Sequence, residues 1–309
     1  MQIPFNKLRR IFFSIVLLAL ILSVFLAANL SQAALSVVPT SLPTFLQTSL
    51  PSIQDRLRNH KLVAGHQGGI YDGTPNTLDL FKQAAKNGID ILEMDLRLSK
   101  DGIPVVYHDE DLNRMTNCAG AVANMNLADL KKCEFKFFFK GGRITSFEEV
   151  LRWNQNRVIL NAEFKIPEVV APTLALVKKY QAYSSVYFQT KNEKNLYLKA
   201  RTLSAEVPLL FAPSNQEALD WALGLLDPQL VVIELHENIR TSENIQKIHQ
   251  SGKWASENSW HWRYDGELMG VSCYKGFKKF NLDILVSNRP QWCAKEKPQL
   301  IKKNLKIIY

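Results

Sequence analysis

The chain has 309 residues, of which 46% are hydrophobic, 22% charged and 10% aromatic; that is ample for one large core and excludes bulk disorder. Its net charge of +9 suits an anionic partner. No nucleic-acid module and no interleaved arginine and aromatic stripe accompanies that charge, so nucleic acid is set aside as a partner.

The N-terminus reads as a targeting segment. Lys7, Arg9 and Arg10 form a positive flank, residues 11–28 are apolar apart from Ser14 and Ser23, and Ser31-Gln32-Ala33 offers small residues where a signal peptidase cuts. Residues 1–34 are therefore expected to be a signal peptide or a retained membrane anchor. A buried core helix is the plainer alternative, but such helices rarely begin a chain behind a basic cluster. In either targeting case the rest of the protein lies outside the cytoplasm, as a periplasmic, secreted or anchored domain, with membrane contact through 11–28. Residues 35–58 read as a linker ending in a short helix over 53–59. Residues 59–295 read as the folded domain, and 296–309 as a basic tail with Lys297, Lys302, Lys303 and Lys306.

Four cysteines in an exported chain suggest disulfides. Cys118 and Cys133 share one segment, while Cys273 and Cys293 flank the last predicted strand. Two local bridges are the simplest guess, although the sequence leaves the pairing open.

From residue 61 the pattern alternates strand and helix. Strands are predicted at 62–64, 90–96, 104–107, 158–164, 186–189, 209–212, 230–235, 253–256 and 283–287. Helices are predicted at 78–87, 147–155, 168–180, 193–203, 215–226 and 242–250. Repeated units of this length point to a parallel α/β fold, and the count suits a (β/α)₈ TIM-type barrel. One connection is too short. Residues 98–103 cannot carry a parallel crossover, so 90–96 and 104–107 should form an antiparallel hairpin turning at Asp101-Gly102. Nine strands less one hairpin arm leaves eight, with 109–145 as a small insertion after the hairpin.

The chemistry-bearing residues fall at strand ends. Glu93 and Asp95 are two apart on one strand, so they share a side roughly 6–7 Å apart along the chain. Two such carboxylates repel unless a cation lies between them, and oxygen ligands favour Mg²⁺ or Ca²⁺. Taken alone, strand-end salt bridges explain this pair better. His66 ends the first strand at a glycine-rich turn, and His108 ends the hairpin arm beside Asp109. Two imidazoles across one pocket suit general acid and base work on a phosphodiester, whereas a lone strand-end histidine is more often a hydrogen-bonded rim residue. Glu163 and Lys165 close another strand, as a third metal ligand and a phosphoryl contact or as a plain ion pair. Glu234, His236, Trp254, Glu257, Trp260 and Trp262 are second-rank candidates for lining the substrate pocket.

Taken together, these residues resemble the glycerophosphodiester phosphodiesterase family. The resemblance is carried by His66-Gln67-Gly68, Pro75-Asn76-Thr77, Glu93-Met94-Asp95, Lys100-Asp101-Gly102, Val105-Val106-Tyr107-His108-Asp109, Arg114 with Thr116, Glu163-Phe164-Lys165 and Ser287-Asn288-Arg289-Pro290. Any one box is weak, but six or more in order are specific. The resemblance implies a TIM-type barrel with one divalent cation, Ca²⁺ or Mg²⁺, held by Glu93, Asp95 and Glu163. It further implies His66 and His108 as the acid/base pair and Lys165 as the phosphate contact to a small glycerophosphodiester, with Gln67 as a further contact in the place of the family's arginine; Trp254, from the second-rank set, is the remaining candidate contact. The implied products are glycerol 3-phosphate and an alcohol, formed through a cyclic phosphate.

Three positions depart from the family pattern. Gln67 stands where arginine is usual, Pro75 where glutamate is usual, and Asn288 where aspartate is usual. These departures bear on head group and affinity. Two alternatives follow. One is a phospholipase of the lysophospholipase D or phospholipase C kind, for which tryptophans 254–262 are the one candidate apolar lip. The other is a non-catalytic barrel that binds anions.

Overall fold

The structure, a computed structural model, describes residues 52–58, 61–136, 141–259 and 273–295. The expected leader at 1–34, most of the linker, Trp260, Trp262 and the tail at 296–309 lie outside the described residues. Among the described residues no helix is long and apolar enough to cross a membrane.

Among these residues ten strands form one sheet: β1 (Leu62–Gly65), β2 (Ile91–Leu98), β3 (Pro104–Val106), β4 (Thr145–Ser146), β5 (Ile159–Phe164), β6 (Val186–Gln189), β7 (Leu209–Phe211), β8 (Leu230–Leu235), β9 (Trp254–Asn258) and β10 (Ile284–Ser287). Eight of them, β1, β2 and β5 to β10, run parallel in chain order. β1 pairs with both β10 and β2, so the sheet closes into a barrel. This is the (β/α)₈ architecture that the strand count predicts.

The expected hairpin is also present. β2 and β3 pair antiparallel, with Leu98 opposite Pro104, and the Gly102 amide closes the turn onto the Ser99 carbonyl at 2.9 Å. The sequence reading missed β4, a two-residue strand that pairs with β3 and extends this arm. The insertion packs its own small core of Val105, Tyr107, Leu112, Val122, Leu130 and Ile144, and the Cys118–Cys133 disulfide ties it together. The second local bridge, Cys273–Cys293, is also formed.

The side-chain period of two sorts each barrel strand into an inner and an outer face. On β2, Leu92, Met94 and Leu96 pack outward in the layer between strands and helices, while Ile91 faces in with Glu93 and Asp95 above it. β5 repeats the pattern, with Leu160, Ala162 and Phe164 outward and Ile159 and Glu163 inward. The buried apolar runs around the carboxylates are therefore the outer core, and the carboxylates belong to the lumen.

The helices cover the outside. α1 (Ile53–Leu57) precedes the barrel, followed by α2 (Leu78–Lys86), α3 (Leu127–Leu130) in the insertion, α4 (Phe147–Asn154), α5 (Val170–Lys179), α6 (Lys194–Leu203), α7 (Gln216–Gly224), α8 (Ser242–Gln250) and α9 (Cys273–Phe280). α3 and α9 were not anticipated: one is a single turn, and the other is a short lysine-rich stretch. α4 starts with a capping box in which Ser146 and Glu149 satisfy each other's backbone amides.

α1 is the short helix expected at the end of the linker. Ser52 and Asp55 cap it, and Ile53 and Leu57 are buried with Ile91, Ile159, Tyr187 and Ile284 inside the barrel. Arg56 donates to the carbonyls of Asn156, Arg157 and Ser184, and Gln54 donates to that of Pro228. These carbonyls precede β5, β6 and β8, so α1 closes the N-terminal end of the barrel. Among the described residues the other end is left open.

Candidate active site

The open, C-terminal end of the barrel holds a cavity of about 400 Å³. It is lined by His66, Glu93, Asp95, His108 and Glu163 together with Gln189, Glu234 and Asn258 from later strands and Lys191 and His236 just past two of them. Seven of the residues singled out from the sequence, Glu234 and His236 among them, thus meet in one place, although 97 positions separate His66 from Glu163 in the chain.

The acidic residues come from adjacent strands. Asp95 of β2 is in register with Glu163 of β5, and Glu93 lies one inward step below Asp95. Oxygens of Glu93, Asp95 and Glu163 all fall within 4.8 Å of one another, and all three residues are buried. Burial pushes the Glu93 carboxyl well above the usual carboxylate range, and the Asp95 charge adds to the rise against a hydrogen bond from the Gln67 amide. Three buried carboxylates this close call for a compensating cation. An all-oxygen donor set suits a hard divalent ion, so these residues fit the metal that the resemblance implies.

Lysines supply part of that compensation. Lys165 Nζ lies 2.8 Å from Glu163 and 3.5 Å from Asp95. Burial works against its charge, but Asp95 and Glu163 outweigh burial and raise its pKa. Lys191 Nζ lies 2.9 Å from the same Glu163 oxygen.

His66 sits in a 3₁₀ turn, His66–Gly68, directly after β1. Gly68 is at φ +88°, and a β-carbon there would come within 2.9 Å of the Phe81 ring on α2. The turn is therefore reserved for glycine and fixes the imidazole above the barrel. His66 Nδ1 is 2.6 Å from Asn288 Oδ1, just beyond β10. Burial lowers the pKa of His66 and favours the neutral ring, against this hydrogen bond and the Asp95 charge. Gln67, in left-handed backbone at φ +50°, donates its backbone N–H to Glu93 at 2.6 Å. His108 is more open, with Nδ1 2.8 Å from Asp109. Arg114 grips Asp109 with two hydrogen bonds of 2.7 Å and holds its carboxyl below the usual range.

Of the three expected contact residues, Gln67 and Lys165 border the carboxylates without lining the cavity, and Trp254 lies elsewhere. Trp254 opens β9, and a strand's first residue lies at the closed end of a parallel barrel. It packs in the apolar layer with Ile53 and Leu57, the length of the strand away from the cavity. Its assignment to substrate is corrected on that ground, and with it the described part of the tryptophan lip. Glu257 likewise faces away from the lumen and is buried in an ion pair with Arg240.

Sequence reasoning passed over three groups. Asn76, also in left-handed backbone, donates to Asp95 at 2.8 Å and accepts from the Asp95 amide at 3.2 Å. Its signal was the Pro75-Asn76-Thr77 box, in which Thr77 caps α2. Gln189 and Asn258 donate to Glu234 at 3.3 and 3.2 Å. Burial pushes this carboxyl up to about 7. Lys191 carries no motif, and its position just past the end of β6 was the one available signal.

Known proteins resemble this chain in sequence and in fold. The model of the glycerophosphoryl diester phosphodiesterase family matches residues 66–260. A glycerophosphodiester phosphodiesterase of Caldanaerobacter subterraneus subsp. tengcongensis is 35% identical over 130 residues, covering 40% of this chain and 54% of that protein. The human lysophospholipase D GDPD1 is 27% identical over 189 residues, covering 55% and 58%. The chain thus spans little more than half the length of these two relatives. Two solved structures share the fold. One is a glycerophosphoryl diester phosphodiesterase of Parabacteroides distasonis, with TM-score 0.67, 20% identity and coverage of 81% and 93%. The other is an Oleispira antarctica phosphodiesterase in complex with sn-glycerol-3-phosphate, with TM-score 0.63, 22% identity and coverage of 76% and 95%. With the family model spanning well over half its length, the chain belongs to the glycerophosphoryl diester phosphodiesterase family.

Proposed function

We propose that this protein hydrolyses a small glycerophosphodiester to glycerol 3-phosphate and an alcohol, outside the cytoplasm. The observation that carries the reading is the convergence of three buried carboxylates, Lys191 and two histidines on one cavity at the open end of the barrel, with Lys165 paired to two of those carboxylates. The family relationship and the glycerol 3-phosphate held by the Oleispira relative support the substrate class. The basic and apolar N-terminal sequence and two formed disulfides support export.

Glu93, Asp95 and Glu163 would hold one divalent cation, Ca²⁺ or Mg²⁺. When bound it supplies positive charge to neutralise the phosphate and its transition state. The chain's own groups do the rest. Lys165, fixed by Asp95 and Glu163, takes a phosphoryl oxygen. One histidine accepts the proton of the glycerol hydroxyl next to the ester as that oxygen bonds to phosphorus. The other gives a proton to the departing alcohol as its P–O bond breaks. The neutral ring that burial favours at His66 is the form able to accept a proton. Water then opens the cyclic phosphate with the roles reversed, which restores both imidazoles.

A water-soluble diester fits the cavity better than an acylated lipid. Among its described lining residues only Ala212 and Val286 are apolar, and Trp254 lies at the other end of the barrel. The test is release of glycerol 3-phosphate from glycerophosphocholine with Ca²⁺, with Mg²⁺ and with chelator. Metal-dependent release is expected, with a fall of about 10²–10⁴ for His108→Ala. Release that persists in chelator, or that survives in His108→Ala, would overturn the reading.

A further inference from the structure

The cavity holds a cation that no motif pointed to. We propose that Lys191 is a second phosphate-binding residue, which sets affinity for the anionic diester beside Lys165; the inference rests on the phosphodiesterase reading above.

Three observations lead to it. The first is the contrast between the two lysines. Both ammonium groups sit on one oxygen, Glu163 Oε1, at 2.8 and 2.9 Å. Lys165 is enclosed, with a side chain 10% exposed, while that of Lys191 is 53% exposed and lines the cavity. An ion pair this open adds little to stability. A divalent cation among the carboxylates would compete for the shared oxygen, and Lys191 is the lysine with room to turn toward a ligand.

The second observation is charge. The described lining of the cavity carries Glu93, Asp95, Glu163, Glu193 and Glu234, and Lys191 is the one lysine in it, because Lys165 pairs with Asp95 and Glu163 outside that lining. A divalent cation held by Glu93, Asp95 and Glu163 would offset their charge, and an anionic diester would still enter past Glu193 and Glu234. Lys191 is the lysine placed to offer positive charge there, in a chain with Gln67 where the family resemblance leads one to expect arginine. Hydrogen bonds to an anion from a charged donor are roughly twice as strong as those from a neutral one.

The third is how the residue is held. Lys191 has φ +47°, a left-handed conformation that is costly for a residue with a β-carbon. Its carbonyl accepts from the Ala212 amide at 3.2 Å, and the neighbouring Asn192 side chain accepts from Ser214 at 3.2 Å. The loop after β6 is thereby pinned to the segment after β7, with the lysine aimed across the rim. Backbone strain kept in place by its surroundings is a feature of ligand sites.

The test uses Lys191→Met and Lys191→Arg in the full chain with metal bound. For Lys191→Met, KM for glycerophosphocholine should rise about ten- to hundredfold, the size of one lost charge-assisted hydrogen bond, with kcat changed less than about threefold. Lys191→Arg should stay within about threefold of the parent in both parameters. Calorimetric titration with inorganic phosphate should show the same weakening for Lys191→Met, whether or not the diester is turned over. An unchanged KM, a loss confined to kcat, a loss in Lys191→Arg equal to that in Lys191→Met, or equal phosphate binding in parent and Lys191→Met would each overturn the proposal. Failure of the parent to turn over any glycerophosphodiester would count against the function reading, and the phosphate titration would still decide the role of Lys191.

Discussion

The two ends of the barrel are built from the same eight strands and obey opposite rules. At the N-terminal end the inward residues are Ile91, Ile159, Tyr187, Trp254 and Ile284, and α1 seals them with Ile53 and Leu57. At the C-terminal end the inward residues of the same strands are Glu93, Asp95, Glu163, Gln189, Glu234 and Asn258. One end removes apolar surface from water and stabilises the fold. The other buries like charges, which costs stability unless a cation offsets them. A mutation at the closed end should therefore change stability and leave chemistry alone, and a mutation at the open end can do the reverse.

The largest stability effect is expected at the closed end. Leu57 is fully buried beneath the barrel, so Leu57→Ala should cost about 2–5 kcal/mol and lower Tm by roughly 10 °C. Activity per folded molecule should be unchanged below the transition. A loss of kcat at a temperature where the variant is folded would show that α1 communicates with the cavity, and the contrast between the ends would fail.

Glu234 gives the opposite case. Its carboxyl titrates near 7 in the fold and near 4.5 when unfolded, chiefly because it is buried. Between those values the folded protein keeps a proton that the unfolded chain releases. Stability is therefore lost as pH rises through this window, by about 3 kcal/mol in all. Glu234→Gln, measured by denaturant unfolding in chelator from pH 4.5 to 7, should flatten that slope and make the protein more stable at pH 7. An unaltered slope would mean that the buried charge is compensated without metal.

The same contrast explains what the sequence revealed. Strands, helices and barrel closure were readable because each strand's outward face packs on helices and its inward face alternates, and the short 98–103 connection allowed only a hairpin. His66, Glu93, Asp95, His108 and Glu163 were readable because each sits at or near a strand end inside a box of several residues. Lys191, Gln189 and Asn258 were not, because each reaches the cavity alone, through strand register and a loop conformation that leave no local pattern. Trp254 was misplaced for a related reason. An aromatic residue near a strand end looks the same from either end until the strand's direction and length are fixed, and β9 begins at Trp254.

The smallest of the expected effects tests how far the open end depends on its outer partners. Asp109 receives His108 Nδ1 on one side and the Arg114 guanidinium on the other, yet it is not among the residues lining the cavity. Asp109→Asn keeps the shape and removes the charge that orients the imidazole. A fall in kcat of about tenfold is expected, with KM and Tm nearly unchanged, since partners that orient a functional imidazole typically contribute one to two decades. Arg114→Ala should cost less than Asp109→Asn, because its side chain is 63% exposed and solvent screens the pair. If Arg114→Ala lost as much as Asp109→Asn, the arginine would be acting on the substrate directly, and the boundary of the site would move outward to include it.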